Sequence, residues 1–268
     1  MSTTHQGLQR TKPGGWMVRH RWIAAMVFAL VPVFCTAAAS AASQLMHADE
    51  TTAALMIAGG AAVSAGVGVT VMMMLPSGLR RPGFGAPRRG RAALWFVPLL
   101  VTVMVVFATQ GMKASGPPLI AYGVLAMSVA VNEEVWFRGA NLTVLRGGGI
   151  RAAIIGSSAL FAVLHLANLA GGEDLPAALL QLAFAALFGI AAAEVTVLSG
   201  SLWPAIMWHT AWDFANYAGG NSTTTLALTG IGIACCLILA YALVMWAAAT
   251  TPEREQPLTA QCADRIPS

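Results

Sequence analysis

The residues able to do chemistry fall in three short stretches. Asn132-Glu133-Glu134-Val135-Trp136-Phe137-Arg138-Gly139 carries two carboxylates and a guanidinium. Phe161-Ala162-Val163-Leu164-His165 carries an imidazole, and His209-Thr210-Ala211-Trp212-Asp213 joins an imidazole to a carboxylate. On a helix, Glu134 and Arg138 stand four residues apart and share a face, so they can neutralise each other. Glu133 is turned about 100° away from Glu134, which leaves its carboxylate without a local cation. His209 and Asp213 are again four apart and can point into one cavity. A Glu and a His can hold and deprotonate a water, and a second His with an Asp can orient a substrate or stabilise an oxyanion. Each stretch alone also has a plain structural use: an ion pair closing a helix, a hydrogen-bonded histidine on an apolar helix, a helix-packing pair. Their combination on separate helices favours a site.

These stretches lie in a chain built for lipid. Of its 268 residues, 57% are hydrophobic and only 10% are Asp, Glu, Lys or Arg, against about 25% charged in ordinary soluble domains. That excludes a soluble globular domain, and the hydrophobicity excludes a disordered chain. The apolar runs predict an all-α, polytopic transmembrane helical bundle of about eight spans, near 22–42, 53–75, 93–110, 119–137, 152–170, 176–198, 202–218 and 225–249. The first run reads as an uncleaved span rather than a signal peptide, although residues 38–43 have the small side chains of a cleavage region. Ala61, Ala62, Ala65, Gly66 and Gly68 predict close packing of the second span. Cys35, Cys235, Cys236 and Cys262 read as small buried hydrophobes rather than as a disulfide or metal site.

Charge sets the topology. Arg10, Lys12, Arg19 and Arg21 form one basic group, Arg80, Arg81, Arg88, Arg89 and Arg91 a second, and Arg146 and Arg151 a third. Asp49, Glu50, Glu173 and Asp174 occupy the alternate connections. By the positive-inside rule both termini are cytoplasmic. The expected location is integral to a bacterial plasma (inner) membrane. The basic groups are topology signals, so no nucleic-acid partner is expected. Glu194, near the cytoplasmic end of the sixth span, reads as an interfacial residue snorkelling to water.

The motifs Glu133-Glu134-x-x-x-Arg138, Phe161-x-x-x-His165 and His209-x-x-x-Asp213, with the approach Ser199-Gly200-Ser201-Leu202-Trp203-Pro204-Ala205-Ile206, resemble those of the CPBP family. That family contains the type II CAAX prenyl endopeptidases (the Rce1 type) and bacterial Abi and bacteriocin-immunity proteins. The resemblance covers 119–217, a CPBP-like catalytic core. It leaves 1–118 as an N-terminal tail with three transmembrane helices, and 218–268 as a last transmembrane helix with a polar tail. It implies an intramembrane endopeptidase hydrolysing a peptide bond in a membrane-associated peptide or protein, reached near the cytoplasmic leaflet. Glu133 would activate water with help from His165. His209 and Asp213 would face the scissile carbonyl and its oxyanion, and Glu134 with Arg138 would be structural support. Many members carry Asn where this chain has Asp213. The family has been called both glutamate protease and metalloendopeptidase. The expectation here is a metal-independent mechanism with no cofactor; the alternative is a catalytic zinc on Glu133, His165 and His209. The alternative function is a non-catalytic membrane scaffold or bacteriocin-immunity protein that uses the same cavity for binding. Besides the substrate, the expected partners are membrane lipids.

Helix arithmetic sets one condition. At ~1.5 Å per residue, Glu133 stands ~8 Å above Arg138 at the cytoplasmic edge, His209 ~9 Å above Trp203, and His165 ~21 Å above Arg151. These levels meet only if residues 146–156 run oblique or outside the hydrocarbon and so lower His165.

Overall fold

The structure, a computed structural model, describes residues 15–75, 82–87, 94–167 and 175–251. Arg10, Lys12, Arg80, Arg81, Arg88, Arg89, Arg91, Glu173, Asp174 and Cys262 lie outside the described residues. Among the described residues the chain is helical, apart from one isolated bridge between Gly83 and Ser201. After a single turn at Gly15–Arg19 come α1 Arg21–Leu45, α2 Glu50–Met74 and α3 Leu100–Gln110, the last entered through a 3-10 segment at Leu94–Leu99. Then follow α4 Gly116–Glu134, α5 Ile150–Leu164, α6 Leu175–Ser199, α7 Trp203–Ala218 and α8 Thr225–Ala249. These match the eight expected runs in order. Five are long and apolar enough to cross a membrane: α1, α2, α4 with its continuation, α6 and α8. The stretch Leu94–Gln110 and α5 are apolar but shorter, and α7 has only 16 residues.

Local chemistry sets the helix starts. At α2, Asp49 accepts a hydrogen bond from the Thr52 amide at 3.0 Å. This satisfies one of the orphan donors that every helix start exposes. The same bond holds the Asp49 carboxyl below its ordinary pKa. Thr224 caps α8 through the Ala227 amide. At α4, proline fills the first turn, where a missing N–H costs nothing.

α4 departs most from expectation. It does not end near Phe137. It passes into a π-helical stretch, Val135–Asn141, then one α-turn, Leu142–Leu145, and one 3-10 turn, Arg146–Gly148, for 33 residues in all. The expected end rested on Arg138 marking the interface. Arg138 is instead neutralised inside the bundle, so the helix has no reason to stop there. It stops at Gly149, whose φ of 96° breaks the helix. Arg146 is therefore carried on the end of this helix rather than in a loop. α5 ends at Leu164, short of the expected 170.

Two glycines let the elements carrying the site approach closely. A Cβ on Gly68 of α2 would lie 2.7 Å from Val135 Cγ1 in the π-helical stretch. A Cβ on Gly189 of α6 would lie 2.9 Å from Ser158 Cβ of α5. Within the small-residue set of α2, Ala61, Ala65 and Gly68 are buried as expected, while Ala62 and Gly66 face outward. The cysteines depart from expectation as well. Cys35 and Cys235 are half-buried and Cys236 is exposed, all three as free thiols. An apolar outer surface facing lipid accommodates them without burial.

The core gathers on the π-helical stretch, the second half of α6 and the start of α7. Trp136, Phe188, Leu202, Ile206 and Trp208 are all fully buried there. The Gly83–Gly85 segment is tied to the α6–α7 turn. Leu202 N donates to Gly83 O, Ser201 Oγ to Gly85 O, and Trp203 Nε1 to Phe84 O. At the opposite end, the amides of Lys113 and Ala114 donate to Ala218 O, and Tyr122 OH donates to Glu50.

Candidate active site

The site is built outward from Arg138. Its Nη1 lies 3.0 Å from Glu134 Oε1, and the two side chains are 1% and 0% exposed. Burying a charge pair carries a desolvation cost that needs further contacts to offset it. Here the guanidinium lies 4.4 Å from the Phe161 ring centroid and 5.9 Å from that of Phe188. Its Nη2 also reaches Gly189 O at 3.5 Å.

Glu134 has a second partner. His209 Nδ1 is 2.9 Å from the same Oε1 and donates to it. With Nδ1 committed in this way, the other ring nitrogen is aimed in a fixed direction. His209 Nε2 lies 3.6 Å from Glu133 Oε2 and 3.5 Å from Asp213 Oδ2. Phe188 and Phe161 pack against the imidazole at ring centroid distances of 4.8 and 6.1 Å. Glu133 and Asp213 are 23% and 18% exposed, in contrast to the sealed Glu134 and Arg138. The cluster thus has a closed side that orients His209 and an open side where Nε2 meets two carboxylates.

His165 sits at the C-cap of α5. Its Nδ1 lies 2.8 Å from Phe161 O. A carbonyl only accepts, so Nδ1 carries a proton, and in the neutral ring Nε2 then holds the lone pair. The imidazole packs on the Phe161 ring at 4.7 Å and interacts electrostatically with His209, Asp213 and Arg138. The continuation of α4 to Gly148 changes the count of levels. Glu133 stands as many residues above Gly148 as His165 stands above Ile150, ~22 Å in each case at 1.5 Å per residue. Continuation of α4 past Arg138 brings the two levels together.

Glu133, Glu134, Arg138, His209 and Asp213 therefore make one contact cluster, with His165 joined to it through Phe161. Glu134 does more than neutralise Arg138, since it also fixes the orientation of His209. Sequence reasoning gave no role to Phe161, Phe188 or the Gly189 carbonyl. Phe161 opens the His165 motif and was visible there; Phe188 and Gly189 sit in an apolar run with no polar signal. Tyr217, one turn beyond Asp213, interacts electrostatically with Asp213 and Glu133, and its ring packs 5.8 Å from that of Tyr122.

Glu194 overturns its expectation. It does not snorkel: it is 0% exposed, and neither carboxyl oxygen has a hydrogen-bond partner among the described residues. The second half of α6 packs into the bundle core instead of lying along an interface. Asn132 and Asn141 likewise bury side-chain amides without partners there.

The donor set gives no ready zinc site. Among the described residues, no three His, Cys, Asp or Glu side chains are grouped so as to hold a metal ion. For Glu133, His165 and His209 the reason is visible. His209 uses Nδ1 on Glu134 and turns Nε2 between two carboxylates, while His165 uses Nδ1 on the Phe161 carbonyl.

A helical bundle with membrane-length apolar helices defines an integral membrane protein, and this one carries an ionisable cluster in its interior. Residues 115–215 match the family model for type II CAAX prenyl endopeptidase Rce1-like proteins. The match spans every residue of the cluster. No curated protein and no solved structure matches the chain significantly.

Proposed function

We propose that the chain is an intramembrane endopeptidase in which Glu133 activates a water against a peptide carbonyl. The supporting observation is the relay Arg138–Glu134–His209, which aims Nε2 at Glu133 and Asp213 on the open side of the cluster. The 3.6 Å between Nε2 and Glu133 Oε2 is too long for a direct hydrogen bond but suits groups that share a water. Glu133 takes a proton from that water, and the hydroxide oxygen bonds to the carbonyl carbon as the C=O electron pair moves onto oxygen. Collapse of the tetrahedral intermediate breaks the C–N bond, and the proton held by Glu133 passes to the leaving amine. His165, with Nε2 free, assists the water. His209 and Asp213 orient the carbonyl. No step requires a metal, so a chelator such as 1,10-phenanthroline is expected to leave cleavage unchanged.

Glu133→Gln keeps the shape and removes the base. Cleavage of a membrane-associated substrate is expected to fall by about 10²–10⁴, with expression and melting temperature unchanged. Full cleavage by this variant would leave the binding-scaffold reading ahead. Asp213→Asn keeps a group that can hold a carbonyl and is expected to retain activity within about tenfold, an expectation drawn from the family resemblance. Asp213→Ala is expected to lose most of it. Equal loss in both would assign Asp213 a role as a charge.

A further inference from the structure

We infer that the groove between α1 and α5 binds one anionic phospholipid, with the phosphate on Arg21 and Arg151 and an acyl chain laid along α5. This inference does not depend on the hydrolytic reading.

The sequence makes this groove by keeping one face of α5 small. Ala152, Gly156 and Ala159 follow one another at spacings of four and three residues and so share a face. Trp22 of α1 rests on the middle of it: a Cβ on Gly156 would lie 2.6 Å from Trp22 Cη2. Along this contact runs a cavity of about 470 Å³, lined by Trp22 and by Ala152, Ile155, Gly156, Ala159 and Val163 among others. Its wall is wholly apolar, and Ile155 and Val163 remain exposed. From Ala152 to Val163 the helix rises ~16 Å at ~1.5 Å per residue. That is close to half of the ~30 Å hydrocarbon core, the depth that an acyl chain fills in one leaflet.

Cations stand at one end of the groove. Arg21 precedes Trp22, and Arg151 precedes Ala152. A Cβ on Gly148 would lie 3.4 Å from Arg21 Nη1 and 3.9 Å from Ala152 Cβ, so the Arg21 guanidinium lies over the turn that leads into the groove. Arg151 is exposed and Arg21 half-buried. Residues 15–22 and 145–152 contain no Asp or Glu, and neither arginine has an ion pair among the described residues. A groove that is apolar along its length and cationic at one end complements an anionic phospholipid, whose head group stays at the basic end while the chain lies within. Trp22, level with the guanidiniums, suits the aromatic belt at the head-group boundary. A second copy docked through the same face about a two-fold axis would instead bring like charges together. The far end of the groove, Val163, is two residues from His165, so the bound chain packs on the helix that carries this histidine.

The test reconstitutes the full chain in phosphatidylcholine vesicles that carry a small fraction of phosphatidylglycerol with dibrominated acyl chains, whose bromines quench tryptophan fluorescence on contact. The Trp22 signal is the difference between the unaltered chain and Trp22→Phe. That signal is expected to be quenched at a roughly thirtyfold lower lipid fraction than when the bromines are carried by phosphatidylcholine, the preference that two cations confer. Arg21→Gln combined with Arg151→Gln is expected to make the two lipids equal. Ala159→Phe, which fills the groove, is expected to reduce quenching by both. Equal quenching by the two lipids in the unaltered chain would mean ordinary surrounding lipid and would overturn the proposal. No quenching by either lipid would give the groove to a protein occupant and overturn it as well. A preference that survives the double arginine variant would overturn the head-group assignment, and undiminished quenching in Ala159→Phe would overturn the groove. If the double variant does not accumulate, the lipid preference of the unaltered chain and the Ala159→Phe chain decide.

Discussion

Glu134 and Glu194 are both completely buried carboxyls inside the same bundle, and they keep opposite company. Glu134 is held by Arg138 and His209, with three aromatic or backbone groups closing around that pair. Glu194 has neither cation nor hydrogen-bond donor among the described residues. Burial alone therefore does not mark this site. What marks it is convergence: groups from α4, α5, α6 and α7 meet around the His209 imidazole, and Arg138 of the π-helical continuation braces Glu134 beside it. The π-helical stretch at the centre of this meeting fits the tendency of such stretches to occur at functional positions.

The largest effect is expected from Glu134→Leu. This variant strands a buried guanidinium and the Nδ1–H of His209, and losing one partner of a buried pair costs about 3–5 kcal/mol. Thermal unfolding in detergent reads it directly. Pairing it with Arg138→Met should recover much of the loss, because no uncompensated charge then remains. A double variant as unstable as the single one would break the contrast with Glu194.

Glu194→Leu is expected to act in the other direction. Replacing a buried polar group that lacks a partner with an apolar side chain of similar size should raise stability by about 1–3 kcal/mol. A loss of stability of that size would show that Glu194 has a partner, and the surroundings of the two carboxyls would then be alike.

The smallest effect belongs to Asp49, a cap on the solvent side. Asp49→Ala removes one helix-start acceptor and is expected to lower the melting temperature slightly. Its folded pKa lies below the ordinary value of 3.8. The stabilisation is therefore present above that pH and is lost as pH falls through the lower folded value. An Asp49→Ala chain should accordingly show a flatter acid limb. An unchanged limb would show that this cap carries no pH dependence.

Much of the architecture was legible in the sequence because lipid imposes a simple rule: apolar runs of spanning length must be helices. All eight runs are present, and the i, i+4 pairs Glu134–Arg138 and His209–Asp213 are both in contact distance. What the sequence did not show depends on long-range packing. In the sequence Arg138 reads as a helix end because charge usually stops at an interface; besides Glu134, its burial depends on Phe161, Phe188 and the Gly189 carbonyl, and these come from other helices. The same misplacement made His165 look too high. Glu194 was misplaced because its neighbours in sequence cannot reveal that its helix face points inward. The link from His209 to Glu134, 75 residues away, has no local signature at all.

The most direct measurement compares Glu133→Gln with Glu194→Gln in purified, reconstituted protein, following hydrolysis of a membrane-associated peptide. The two variants make the same isosteric change to two intramembrane carboxyls, one facing His209 Nε2 and one facing no partner. The account predicts that Glu133→Gln loses hydrolysis while Glu194→Gln retains it. Retained hydrolysis in Glu133→Gln, or equal loss in both, would contradict it.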